Sequence, residues 1–424
     1  MKKNTSTMDL ALSGNEGLYV NKKVKSLFNF PLIKNFSSKN VNFYTFNTGF
    51  KRFNDDLLVM LFTEPVSVVA VYSKTSTPSA PIIWDKKNNK GLCKVVIVNA
   101  GNANAHTGVR GLKSIDAYVK TAANFFQCNL NEIMVSSTGV IGEQLNHKFI
   151  QKIFKKNNFN RSKNLLLASK SIMTTDTYPK TVMKKIWINK KNIQIFGFAK
   201  GSGMIYPNMG TLLSYIFIDA NISKIILNKI LKENLESSFN SITVDGDTST
   251  SDTVMLFSLS NAKENIISSK KDIDILSKSL KAAMFDLAFQ IVCDGEGISK
   301  LIEVNISNAK TYSQANSVAS SIANSSLVKT AIAGKDANWG RVIMAIGKAD
   351  RNIDQDKIKL KFGNNLVATK GSMYSGIKIK SLDSYMKNKI IKINVDLGLG
   401  IFNRTIYSSD LTHEYIRING DYRS

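Results

Sequence analysis

The sequence predicts a chain of mixed helix and strand, α+β or α/β, folded into two or three lobes. Three observations predict it. Short apolar runs rich in β-branched residues stop abruptly at turn-forming clusters, as LCKVVIV (Leu92–Val98) does at NAGNANAHTG. Longer segments carry apolar residues at helical spacing. The 424 residues also exceed what one hydrophobic core usually needs. The alternation of elements does not by itself fix a topology.

Along the chain, residues 1–28 form a polar extension without a clear period. Leu92–Val98 is the first clear buried strand. Ile193–Phe198 and Thr211–Ile218 are strands separated by the glycine-rich KGSGMIYPNMG, and Val254–Leu259 and Leu301–Ile306 add two more. Helices are expected over Gly111–Phe126, Ile222–Phe239, Ile273–Val292 and Ser313–Ile332. The last is rich in Ala and Ser, which suits close packing against a sheet. Neither an internal repeat nor a long linker is evident.

Composition narrows the function classes. Hydrophobic residues at 43% and charged residues at 21% are ordinary for a soluble globular protein. Asp9 and Glu16 interrupt the lysine-rich Met1–Val24, so no secretory h-region forms there. No apolar run approaches the ~20 residues that cross a bilayer, so a cytoplasmic protein without a membrane partner is expected. Cys93, Cys128 and Cys293 lie far apart without a CxxC pair, which argues against a disulfide framework or a cysteine zinc site. Buried, inert thiols are expected instead. The net charge of +25 invites a nucleic-acid role. Its lysines are dispersed in short runs, among them Lys22-Lys23, Lys155-Lys156, Lys184-Lys185, Lys190-Lys191 and Lys270-Lys271, with no basic helix to gather them. Dispersed surface charge and no specific nucleic-acid partner are expected.

The glycine-rich stretches are not nucleotide loops. Gly201-Ser202-Gly203 and Gly295-Glu296-Gly297 lack the third glycine of a dinucleotide fingerprint, and Gly340 and Gly347-Lys348 are spaced wrongly for a P-loop. Asp245-Gly246-Asp247 opens like a calcium loop, but Ser249 and Ser251 follow and the terminal glutamate is missing. Only His106, His147 and His413 exist, and no serine sits in a nucleophile elbow. His106, in a turn, is expected to be structural or solvated. Taken alone, Thr211 is the start of a strand, Gly139 a tight turn, and Lys200 and Glu296 surface charges. Glycines after Lys200 and on both sides of Glu296 do argue against exposed helix faces.

Five segments need a joint explanation: NAGNANAHTG (Asn99–Gly108), VSSTGVIGEQL (Val135–Leu145), KGSGMIYPNMGTLLSYIFIDA (Lys200–Ala220), ITVDGDTSTSDTV (Ile242–Val254) and DGEG (Asp294–Gly297). In this order they resemble the ornithine acetyltransferase (glutamate N-acetyltransferase) family. TTDTYPK (Thr174–Lys180), ANWGRV (Ala337–Val342) and INGDYRS (Ile418–Ser424) extend the resemblance, which runs from about Gly49 to the last residue.

The resemblance implies an α+β fold of two β-layers enclosed by helices, of the self-cleaving N-terminal-nucleophile type. It implies a cut between Gly210 and Thr211, leaving an α chain (29–210 after the extension) and a β chain (211–424), with relatives forming a dimer of such pairs. The Thr211 hydroxyl would attack its own preceding carbonyl, and Gly210 suits the contorted backbone this needs. The cut frees the Thr211 α-amine, whose reference pKa of ~8 suits a base for its own hydroxyl. The reaction implied is ping-pong transfer of acetyl from N2-acetylornithine to glutamate in arginine biosynthesis, with no cofactor or metal; acetyl-CoA stays open as a second donor.

By the same resemblance, the Thr138 hydroxyl and Gly139 N–H meet the oxyanion. Thr174 (or Thr175, one residue on), Lys200, Thr211, Glu296, Asn419 and Ser424 bind substrate, Lys200 at a carboxylate and Glu296 at an α-amine. The chain departs from its relatives at Gly210, Ala100, His106, Ile298, Gly420 and Ser424. They usually carry Ala, Ser, Cys, Ala, Ala and Thr there, and the bulk of Ile298 would narrow the pocket beside Glu296. Another acyl substrate, amide hydrolysis, or a decayed binding module with the same fold are the alternatives.

Overall fold

Among the residues described in the computed structural model (27–155, 159, 162–206, 212–260 and 266–421), the chain divides into two units, each built on one sheet. Within those residues the first unit runs to Gly201 and takes up Tyr206–Asn240 and Thr248–Ile291; the second holds Ser202–Ile205, Ser241–Asp247 and the chain from Val292. Two sheets with their helices make the fold α+β, as the resemblance implies.

The first sheet contains β1 (Val41–Phe46), β2 (Leu57–Tyr72), β3 (Leu92–Asn102), β4 (Ile133–Val140), β5 (Lys180–Ile188), β6 (Lys191–Lys200) and β7 (Leu213–Ile218), with β8 (Ile242–Thr243) following in the other unit. Its eighth member is β9 (Thr253–Ser258); the order is β4-β3-β2-β9-β7-β6-β5, with β1 against β2. The parallel pair β7 and β9 is buried along its whole length, which explains runs as apolar as LSYIFI and TVMLFS. Phe217 stacks between Phe196 and Phe257, each at 5.2 Å. Fully burying one such ring contributes roughly 1.5–3 kcal/mol. The β2–β3 ladder shifts register between Leu61 and Val66, around Pro65, which has no N–H to donate. Asn189 and Lys190 join β5 to β6 with φ of 50° and 61°, the left-handed pair a two-residue type I′ turn requires.

Helices α1 (Ala80–Asn88), α2 (Gly108–Phe126), α3 (His147–Lys155), α4 (Leu165–Ser171), α5 (Lys224–Leu235) and α6 (Lys270–Val292) complete this unit, apart from the last residue of α6. On α2, Gly111, Ser114, Ile115, Tyr118, Val119, Ala122 and Ala123 form one buried stripe, and Gln127 ends the helix in the left-handed region at φ 51°. Phe28, the last residue of the expected polar extension, is buried against Phe30 and Phe289. Residues 1–26 lie outside the described residues.

The second sheet joins β8 to β10 (Leu301–Ala309), β11 (Lys359–Phe362), β12 (Asn365–Thr369), β13 (Ser372–Met373), β14 (Ile390–Asp396) and β15 (Phe402–Ser409), in the order β13-β12-β11-β14-β10-β15-β8. It is mixed, since β10 runs parallel to β14 and antiparallel to β15. With it go α7 (Tyr312–Ala323), α8 (Ser326–Ala333), α9 (Trp339–Ala349), α10 (Ile379–Tyr385) and α11 (His413–Gly420). The small-residue face of α7 packs on β10 and β15, as its Ala and Ser content suggests.

Some expectations need correction. The single helix expected over Ser313–Ile332 is two helices, broken at Asn324-Ser325. The Ser325 hydroxyl caps α8 by accepting the Val328 N–H, and the Asn324 side-chain oxygen accepts the Thr243 hydroxyl at 2.7 Å. Capping and a tertiary hydrogen bond outweigh the apolar period there. The helix expected over Ile222–Phe239 is shorter, because Ser223 caps it and it ends at Leu235. Lys184, counted among dispersed surface lysines, is buried and ion-paired to Asp286 of α6 at 2.5 Å. Cys93 and Cys293 are buried, Cys128 is half-buried, and all three are free thiols. No helix among the described residues is long and apolar enough to cross a membrane.

Candidate active site

The first unit gathers Thr138, Gly139, Lys200 and the Thr174 loop. The Ser137 hydroxyl donates to the Asn99 side-chain oxygen at 2.5 Å, and the Asn99 amide donates to the Asn102 carbonyl at 2.8 Å, which binds the end of β4 to the end of β3. Gly139 has φ 129°, and a Cβ there would lie 2.3 Å from the Gly101 carbonyl carbon and 2.6 Å from the Asn102 nitrogen. Only glycine allows that approach. Thr138 is buried, and its hydroxyl oxygen accepts a hydrogen bond from Lys200 Nζ at 3.1 Å. An ammonium only donates, so the Thr138 O–H is left to point at another acceptor, as an oxyanion donor must.

Lys200 ends β6, and Gly201 follows with its N–H donated to Asp176 Oδ1 at 2.7 Å. The same carboxylate accepts the Thr174 N–H at 3.0 Å and the Lys180 ammonium at 2.7 Å. Asp176 thus ties the Thr174 loop to the strand end that carries Lys200. Burial alone would raise its carboxyl, but the charges of Lys180 and Lys200, with the Lys180 and Gly201 hydrogen bonds, hold it well below the usual range. Thr174 and Thr175 are both half-buried.

Lys51, from the loop between β1 and β2, also reaches this region. It donates to the carbonyls of Asp55 at 3.2 Å and Ser171 at 3.1 Å. Burial, helped by the Lys200 charge, brings it down to about 8 against the opposing pull of Asp56 and Asp176. Sequence reasoning missed both Lys51 and Asp176. The signal for Asp176 was present in TTDTYPK, but only the fold shows that one carboxylate serves three partners.

The second unit gathers Glu296 and Asn419. Glu296 is buried in the turn between α6 and β10. The Asn419 amide, exposed on α11, donates to Glu296 Oε2 at 2.8 Å and to the Tyr415 carbonyl at 3.0 Å. Gly297, at φ 69°, lets α11 come close, since a Cβ there would lie 2.5 Å from the Tyr415 nitrogen. A Cβ at Gly203 would lie 2.6 Å from the Glu296 carboxyl, so the backbone of the glycine-rich segment rests against that acid. Asp245 accepts the N–H groups of Met204 at 2.7 Å and Ile205 at 2.9 Å. The acid that opened like a calcium loop is therefore a backbone acceptor here. Ile298 is half-buried beside Glu296, and His106 is exposed at φ 55°.

Of the expected site residues, Thr138, Gly139 and Lys200 come together with the Thr174 loop in one unit, and Glu296 with Asn419 in the other. Gly210, Thr211 and Ser424 lie outside the described residues, and the first described residue of that strand segment is Leu212.

The ArgJ family profile matches residues 42–424. The arginine biosynthesis bifunctional protein ArgJ of Bartonella quintana (strain Toulouse) is 45% identical over 375 residues, which covers 87% of this chain and 91% of that protein. The protein of the same name from Brucella suis biovar 1 is 42% identical over 376 residues, with the same coverage of each. A crystal structure of arginine biosynthesis bifunctional protein argJ from Bacillus halodurans aligns at 39% identity and a TM-score of 0.47, over 50% of this chain and 99% of that one.

Proposed function

The chain belongs to the ArgJ family, and from that premise we propose that it is a self-cut acetyltransferase of arginine biosynthesis. It carries acetyl from N2-acetylornithine to glutamate on the hydroxyl of Thr211, after the bond between Gly210 and Thr211 has been cut. The pairing of Lys200 Nζ with Thr138 Oγ1 at 3.1 Å carries the reading. That pairing joins an expected oxyanion donor to an expected substrate-binding cation from two motifs 62 residues apart in the sequence.

In this reading the Thr211 amine takes the proton of its own hydroxyl as the oxygen attacks the acetyl carbonyl. The Thr138 hydroxyl and the Gly139 N–H meet the oxyanion. The Thr211 ammonium passes the hydroxyl proton to the ornithine nitrogen as the acetyl C–N bond breaks and ornithine departs. The amine of glutamate then attacks the ester, and its proton passes through the Thr211 amine to the Thr211 oxygen as the C–O bond breaks. Lys200 binds a substrate carboxylate and, as a nearby cation, favours the neutral amine of Thr211. Glu296 takes a substrate ammonium, oriented by Asn419, and Thr174 and Ser424 bind substrate.

The working molecule comprises residues 1–210 and 211–424 as two associated polypeptides, paired again as a dimer and acting in the cytoplasm. It uses no cofactor or metal, and acetyl-CoA is a candidate second donor. Denaturing electrophoresis with N-terminal sequencing tests the cut, since the second piece must begin TLLSYIF. Labelled acetylornithine, added without glutamate, must leave acetyl on Thr211. One intact band in active enzyme, or label that reaches glutamate without ever being trapped on protein, overturns the reading.

A further inference from the structure

The segment Ile242–Val254 carries near its end a buried acid that the acyl-transfer scheme leaves without a task. Asp252 immediately precedes β9 and is only 4% exposed. Among the described residues its Oδ2 has no hydrogen-bond partner. A buried, unsatisfied polar atom costs roughly 1–3 kcal/mol and calls for an explanation. The rest of the carboxyl is engaged, with the Ser249 hydroxyl and the N–H groups of Leu212 and Ser249 as donors and Lys200 as the neighbouring positive charge. Burial nevertheless outweighs these and raises its pKa well above the usual carboxylate value.

The sheet register explains why Asp252 meets Leu212. Leu213 of β7 pairs with Thr253 of β9 in a parallel ladder, and the Thr253 N–H donates to the Leu212 carbonyl at 2.8 Å. Leu212 and Asp252 also line one small pocket of about 10 Å³, otherwise mostly apolar. That is about the space one water needs. The hydroxyl oxygen of Thr211 is four covalent bonds from the Leu212 nitrogen that the carboxyl engages.

Cutting the chain poses a chemical problem that later acyl transfer does not. Before the cut, the Thr211 nitrogen belongs to a peptide bond and cannot serve as a base. Some other group must take the hydroxyl proton. A water-excluded carboxylate is a stronger base than an ordinary one, and it needs only to lie within reach of that hydroxyl.

We propose that Asp252 is the base of the cutting step, an inference that rests on the cut before Thr211 proposed above. Asp252 takes the Thr211 hydroxyl proton as the oxygen bonds to the Gly210 carbonyl carbon. It returns that proton to the Thr211 nitrogen as the C–N bond between the two residues breaks. The product is an ester of Gly210 on the Thr211 oxygen. Water then adds to the ester carbonyl, the C–O bond to Thr211 breaks with the proton passing to that oxygen, and Gly210 leaves as a carboxylic acid that ionises. Asp252 ends as it began, and the new amine takes over as base.

The test is full-length Asp252→Asn and Asp252→Glu, followed by denaturing electrophoresis during and after synthesis, with thermal melting to verify folding. Asp252→Asn keeps the size and the bond to Leu212 but removes the base, so cutting should slow by at least ~100-fold, within the usual range for general base catalysis. Neutral hydroxylamine, which splits esters and spares amides, should not restore the cut in this variant. Asp252→Glu keeps a carboxylate and should be cut faster than Asp252→Asn; a packing role predicts the reverse order. Cutting of Asp252→Asn within threefold of the unmodified rate overturns the inference, as does Asp252→Glu cut no faster than Asp252→Asn. Should Asp252→Asn fail to fold, Asp252→Glu decides against the unmodified chain: slower but complete cutting supports the inference, and unmodified or absent cutting overturns it. An unmodified chain that is never cut instead overturns the underlying reading.

Discussion

Asp176 and Lys180 form an ion pair of 2.7 Å in which neither side chain reaches solvent. The pair anchors the Thr174 loop and the Gly201 N–H on one carboxylate. Removing one partner of a buried pair leaves an uncompensated charge and typically costs ~3–5 kcal/mol. Asp176→Asn should therefore lose about 3 kcal/mol at pH 7, measured as a lower urea midpoint.

The same carboxyl sets a pH dependence. It is held below its unfolded value, so its contribution to stability is complete above the ordinary aspartate pKa of ~3.9 and is lost as pH falls through the depressed folded value. Unfolding free energy should fall from about pH 4 downwards. The fall should be shallower in Asp176→Asn. Equal slopes for the two proteins would show that another group dominates.

Gly139 and Thr138 separate backbone fit from hydroxyl chemistry. Gly139→Ala forces a Cβ onto the Gly101 carbonyl and should cost ~1–3 kcal/mol of stability as well as activity. Thr138→Ala removes the proposed oxyanion donor without that clash and should lower kcat by roughly 10²–10³, with Thr138→Ser largely retaining it. Steady-state kinetics on folded protein, with melting temperature alongside, distinguishes the two.

The contact of Gly203 with the Glu296 carboxyl predicts a binding defect from a substitution that changes no charge. Gly203→Ala must push that carboxylate aside and should raise KM at least tenfold with a smaller change in kcat. Glu296→Gln keeps the shape but weakens a charged hydrogen bond, worth ~1.5–3 kcal/mol. An unchanged KM in both variants would remove Glu296 from the binding set.

Lys200 should matter where exposed lysines do not. Lys190→Gln and Lys191→Gln should leave kcat/KM within about twofold, because exposed charges are screened and individually weak. Lys200→Gln, which loses the bond to Thr138, should cost at least ~1.5 kcal/mol in kcat/KM, measured on protein that has been cut. An unmodified rate and Michaelis constant in cut Lys200→Gln would withdraw its role.

Elements whose burial is dictated by their own side chains were legible. LCKVVIV, TVMLFS and the core of β6 are apolar enough to demand a buried strand in any fold, and the stripe on α2 demands one covered face. Gly139 was legible as a tight turn, and the glycines of DGEG as breaking an exposed helix face, though not which backbone would come near them. β5 was not legible. KTVMKKIWI carries lysines at positions the sheet buries, and a charge can be buried only where a partner waits. Asp176 comes from the loop before the strand and Asp286 from a helix a hundred residues on. The break between α7 and α8 is of the same kind, because Ser325 and Asn324 suit a helix or a cap equally until Thr243 comes within reach. The sequence by itself determined which segments must leave water and which motifs the chain shares with its family. Tertiary structure alone decided which charges could follow, because a buried ion is stable only against a counter-ion that distant parts of the chain supply.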